Sequence, residues 1–223
     1  MAARSPDPRL CALLVAAASA AAAQPAATPP PPGVPGHWTI VTGETVSPGR
    51  DAVSVEMGWP GITAGYLHGL SENTDVGVKF DLLYGIENTT NSKFGLGIAV
   101  PLRLVVSRKE NILLGLHVDA GARVYTNSAS TDFVIRFPVG GILAIQATPE
   151  VRIAATVDLM LGVQIPHTAY LEIGPLFGFA FEYMVDKNLI VGLNTRFGPQ
   201  FYTLSGAGTD FAFTTQVVVG YRL

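Results

Sequence analysis

The sequence predicts an all-β fold: a transmembrane, antiparallel, up-and-down β-barrel of about ten strands, with eight or twelve also fitting the pattern. Three observations carry this. Charged residues make up only 14% of the 223-residue chain, against roughly 25% in soluble domains. Beyond the N-terminus there is no run of about 18 uninterrupted apolar residues to mark a membrane helix. Instead, apolar residues alternate with small or polar ones over long stretches, the pattern of strands with one apolar face.

In chain order, residues 1–23 read as a signal peptide. Arg4 and Arg9 give a positive start, Leu10 to Val15 a short apolar stretch, and Ala21-Ala22-Ala23 a small-residue cleavage site before Gln24. The single cysteine, Cys11, lies inside it, so the mature chain is expected to have no disulfide and no thiolate metal site. Its early position, after Leu10 rather than a small residue, argues against lipidation. Residues 24–36 form a proline-rich leader (PAATPPPPGVP), a stiff solvated spacer that cannot build a core. Residues 37–49 are an N-terminal extension or an extra strand, because His37 to Val46 alternates only in part. Residues 50–223 form the barrel.

Within the barrel, turn-forming clusters recur at 59–61, 71–75, 88–92, 107–111, 127–132, 148–150, 166–168, 186–188 and 205–210, separating about ten strands. Between them the alternation is sustained. Leu114, Leu116, Val118, Ala120, Ala122 and Val124 share one face, opposite Gly115, His117, Asp119, Gly121 and Arg123. Val151 to Val163 and Phe94 to Val106 repeat the pattern, as does the last stretch from Phe211 to Leu223. Pro101, Pro138, Pro175 and Pro199 fall inside predicted strands. Each removes a ladder donor and calls for a bulge or a break.

Alternation alone fits a soluble lipocalin-like ligand-binding barrel with an apolar interior, or a membrane barrel with an apolar exterior. The less apolar face here is rich in Gly, Ala and Thr with few charges, unlike a water-facing surface. It therefore reads as a lumen. The inferred lumen network comprises Glu56, Lys79, Asp81, Arg103, His117, Asp119, Arg123, Arg136, Arg152, Asp158, Glu172, Glu182 and Arg196, with Asn194 and Arg222 on the same face. Mixed signs favour a self-neutralising network that plugs or nearly fills the bore over an open channel. Aromatic girdles are expected at Trp59, Tyr84, Phe94, Phe133, Phe201 and Phe211 on one side, and at Tyr183 and Tyr221 on the other.

The final stretch, Gln216-Val-Val-Val-Gly-Tyr221-Arg-Leu223, resembles the terminal strand by which bacterial outer-membrane β-barrel proteins are recognised for assembly. Tyr221 fits the aromatic two places before the end, and Leu223 departs from the usual terminal Phe. The resemblance covers residues 50–223 in pattern. It implies the outer membrane of a double-membraned bacterium, contact with its lipid, and delivery by its assembly machinery. It implies no particular activity.

A formal net charge of −3 without a basic stripe excludes a nucleic-acid binder. No metal-ligand spacing, P-loop or dinucleotide fingerprint is present, so no cofactor or metal is expected. His117 and Asp119 share a face, but lack a nucleophile. Ser205, Asp210, His167 and Glu172 fall near the outer rim without a motif. The expected function is a non-enzymatic, structural or interaction-type barrel, plugged or very narrow. A narrow, porin-like pore and a rim-located hydrolase are the alternatives.

Overall fold

The computed structural model describes residues 37–86, 94–126, 131–165, 170–203 and 208–223, with only the backbone of Tyr170. The predicted signal peptide and leader, and the candidate rim residues His167 and Ser205, lie outside the described residues. Eleven strands follow in order: β1 (Asp51–Trp59), β2 (Gly61–Ser71), β3 (Thr74–Leu83), β4 (Phe94–Lys109), β5 (Ile112–Thr126), β6 (Thr131–Arg136), β7 (Val139–Gln146), β8 (Val151–Ile165), β9 (Tyr170–Met184), β10 (Leu189–Thr203) and β11 (Gly208–Arg222). The described residues contain no helix.

Every pairing is antiparallel, and β1 pairs with both β2 and β11, which closes the sheet. Strands β6 and β7 each pair with β5 on one side and β8 on the other. They are therefore the upper and lower halves of one stave, and the barrel has ten staves, as the turn spacing predicts. The break falls at Phe137-Pro138, where Pro138 has no N–H to donate and its carbonyl still accepts from Asp119 N at 3.0 Å. The other prolines also coincide with interruptions. The β3–β4 register skips the residues around Pro101, and the β9–β10 register skips 198–200 beside Pro175 and Pro199.

The faces sort as the alternation predicts. Large apolar residues point outward on all staves, among them Val55, Ile62, Phe80, Leu96, Leu116, Ile135, Leu143, Val157, Phe177, Leu193 and Val217, all exposed. Most charged strand residues point inward and are buried. A soluble barrel needs the reverse arrangement, because a continuous apolar exterior is costly in water. The N- and C-terminal ends of the barrel share one rim, here called the inner rim, with the turns after β2, β4, β7 and β9.

Residues 37–50 form no strand. They enter the barrel from the inner rim, and Trp38 through Val46 are buried inside it. Trp38, Ile40, Val41 and Val46 pack with inward-facing Leu67, Val105, Leu113, Ile142, Ala154, Ala180, Ile190 and Val218 in the main apolar cluster of the molecule. Burying Ile40, Val41 and Val46 stabilises this placement by roughly 1.5–3 kcal/mol each. The inner half of the bore is thus filled by the chain's own N-terminal segment.

Candidate functional site

The lumen is built in three layers. The inner layer holds residues 37–46, a plug folded around a tight turn. Thr39 Oγ1 accepts from Glu44 N at 2.8 Å and donates to Glu44 O at 3.1 Å. Gly43 takes φ of +93°, and a Cβ there would sit 3.1 Å from Ile142 Cγ2, so a side chain is disfavoured on both counts. The turn aims three successive N–H groups at one carboxylate. Ile40, Val41 and Thr42 donate to Glu182 at 2.7, 3.1 and 3.0 Å, and the Thr42 hydroxyl donates to it as well. Such a run of converging N–H groups is a small anion nest.

The opposite wall holds the plug's carbonyls. Arg103 donates to Thr39 O at 2.8 Å and Ile40 O at 2.9 Å, and pairs with Asp75, which in turn accepts from Val46 N at 3.1 Å. The plug contributes one carboxylate, Glu44, to two wall arginines. Arg108 Nε donates to it at 3.0 Å and Arg152 Nη1 at 3.2 Å. Burial opposes ionisation of Glu44, but the hydrogen bonds and charge of Arg108, with those of Arg152, outweigh it and hold its pKa below the ordinary value. Burial pushes the His37 imidazole down, and the charge of Arg152 adds to the effect. At the mouth, Trp38 Nε1 donates to Lys187 O at 3.1 Å, with the Arg222 guanidinium 5.7 Å from its ring centroid.

The middle layer is a network of opposite charges. Lys79 lies 3.3 Å from Asp119 and 4.0 Å from Glu56. Asp81 pairs with Arg123 at 2.9 Å and accepts from Thr63 at 2.7 Å. Asp158 lies 3.0 Å from Arg196 and 2.8 Å from His117 Nε2. The glycines of this face make the room. A Cβ on Gly140 would fall 1.8 Å from Asp158 Oδ1 and 2.6 Å from His117 Cε1. In the outer layer Arg136 approaches Glu172 at 3.3 Å, and Gln200 donates to Glu172 at 2.7 Å. A cavity of about 130 Å³ remains in the lumen, lined by Glu56, Lys79, Asp119, Arg123, Arg196 and Gln216 among others. It has room for a few waters or one very small solute.

The sequence-predicted lumen residues all lie on the inward face, but they do not form one network. Arg103, Arg152 and Glu182 hold the plug, while Glu56, Lys79, Asp81, His117, Asp119, Arg123, Asp158 and Arg196 form the middle layer. Arg136 and Glu172 belong to the outer one. His117 faces Asp158 on the next stave but one, not Asp119 two residues away, which is engaged by Lys79. Glu172, a candidate rim residue, is 1% exposed and bonded inside the lumen. Glu44, Asp75 and Arg108 are plug contacts that the sequence pattern does not single out. Of the girdle residues, Tyr84, Phe94, Phe133, Phe201 and Phe211 are exposed near the outer rim, and Tyr183 and Tyr221 near the inner one. Trp59 is half-buried, 6.0 Å edge-on to Tyr84. Tyr66 joins them at the inner rim, its hydroxyl donating to Asp51 at 2.6 Å. Among the described residues, no group of three or more His, Cys, Asp or Glu is arranged to hold a metal ion.

No protein-family model matches the chain. No curated protein matches it either. Among solved structures it is similar to the outer membrane protease OmpT from Escherichia coli, over 78% of this chain and 93% of that one, with 9% identity and a TM-score of 0.41. At this distance the likeness carries no functional reading, and the barrel described above rests on its own strand pairing.

Proposed function

We propose that the chain is an integral outer-membrane barrel of a double-membraned bacterium, acting as a structural or interaction protein of the envelope rather than as an enzyme or an open pore. In this reading residues 1–23 direct export, the terminal strand β11 is handed to the assembly machinery, and the apolar exterior meets lipid. The observation that carries the closed lumen is the burial of Trp38 to Val46 inside the barrel, with the charged layers stacked above them. A bore occupied by a polypeptide segment and by paired long side chains leaves little continuous water for ions. The apolar exterior supports the membrane placement on physical grounds alone.

Planar-bilayer recording of the purified full chain tests the closed lumen. The expected result is membrane insertion without discrete conductance steps. Regular steps from the unaltered protein would replace this reading with that of a narrow pore.

A further inference from the structure

The plug is held by side chains of the wall and not by strand pairing. No strand ladder includes residues 37–46, and their main-chain bonds to the wall run to side chains: Glu182 for three N–H groups, Asp75 for one, Arg103 for two carbonyls. Glu44 docks between two arginines, and four apolar side chains fill the space between them. Fixed acceptors and donors for a turn's backbone, a charge-matched pocket for one acidic side chain and apolar slots are the components of a peptide-recognition site. The ten staves close without the plug, through β1 and β11. Immediately beyond it, Ser47 (φ 90°), Pro48 and Gly49 (φ 67°) turn the chain into β1, and Gly49 N is tied to Gly69 O of β2 at 2.8 Å, so the segment moves by torsions that precede Gly49 while that bond and the ladder stay in place.

We infer that the inner half of the lumen is a peptide-binding site whose resident ligand is residues 37–46, held in cis and able to leave and return as a unit while the barrel stays closed. The site recognises a tight turn offering three consecutive N–H groups, followed by a carboxylate and flanked by an indole and β-branched residues. A free peptide of the same sequence is therefore a competitor. This inference rests on the barrel and the plug, and stands or falls separately from the membrane reading.

The test uses the full chain with Cys11→Ser and Val41→Cys, purified in detergent. The Val41 side chain is buried, and its N–H bond to Glu182 does not depend on the side chain. The rate of maleimide labelling is followed together with the mobility of the unboiled protein, which reports a closed barrel. The expected result is slow labelling of the compact form, accelerated at least tenfold by Glu182→Gln. Excess synthetic peptide of residues 37–46, added to the protein with Glu182 intact, should also accelerate its labelling by occupying the site whenever the segment leaves. Glu44→Gln gives the same reading if Glu182→Gln fails to fold. The inference is overturned if labelling occurs only in the unfolded form, if neither substitution changes the rate in the compact form, or if the peptide has no effect.

Discussion

Arg103 and Asp75 form the buried pair on which the plug's carbonyl side depends, and its removal has a calculable effect. Asp75 is fully buried and Arg103 is 6% exposed. Replacing Arg103 with Met strands the Asp75 carboxylate, with Val46 N left at 3.1 Å, and takes donors from Thr39 O and Ile40 O. Breaking a buried ion pair by deleting one partner costs about 3–5 kcal/mol, and each orphaned carbonyl adds about 1–3 kcal/mol where water does not reach it. Asp75→Asn alone should cost less, because the amide oxygen still accepts from Val46 and Arg103 keeps both carbonyls. The double variant Arg103→Met, Asp75→Asn leaves no unpaired charge and should recover about 0.5–3 kcal/mol relative to Arg103→Met, the range by which pairs in contact couple. Urea titration of the compact, unboiled form on gels measures all four proteins. A Arg103→Met variant as stable as the parent, or a double variant no better than the single one, would refute the claim that this pair is buried and holds the plug.

Three further outcomes follow from the same geometry. Leu116→Arg puts a charge on the exterior at a cost of about 2–4 kcal/mol near a bilayer midplane, whereas Thr214→Arg, on the cavity wall, should assemble with far less loss; equal yields of membrane-assembled protein would contradict the face assignment. Gly140→Ala drives a methyl group into Asp158 and His117 and should lower stability by about 1–3 kcal/mol in the urea assay. Glu44 has a lowered pKa in the folded chain, so its contribution to plug retention is complete above the ordinary value of 4.5 and is lost as pH falls through the lowered one. Labelling of the Val41→Cys protein carrying His37→Gln, divided at each pH by that of the unfolded protein to remove the thiolate's own pH dependence, should then be flat from about pH 7 to 5 and rise in more acid solution. That rise should be reduced in Glu44→Gln, where this group no longer titrates.

The fold was legible because a strand's period of two is local. Phe94 to Val106 and Val151 to Val163 each declare two faces without reference to the rest of the chain, and the turn clusters between them set the stave count. The prolines were legible as interruptions, since a missing donor must show somewhere in the ladder. The lumen face could be read in the same way, but not its partners: His117 meets Asp158 across Gly140, a contact set by register. The plug was hidden for a deeper reason. Its anchors are backbone groups, which every sequence has, and Glu182 is 142 residues from Ile40. Partial alternation over His37 to Val46 suggests a strand, yet the bend at Gly43 and the Thr39–Glu44 bonds fold it into a turn. Asp75 and Arg108 border tight turns and read as turn residues, although both reach inward to the plug.

The central claim is that an apolar-faced, self-plugged barrel resides in the outer membrane. Envelope fractionation, followed by electrophoresis of boiled and unboiled samples, tests it most directly. Recovery with the outer membrane and a heat-dependent mobility shift is the predicted result. A soluble protein of unchanged mobility would contradict it, because an exterior lined with Val55, Leu96, Leu116 and Phe177 would then have to lie in water.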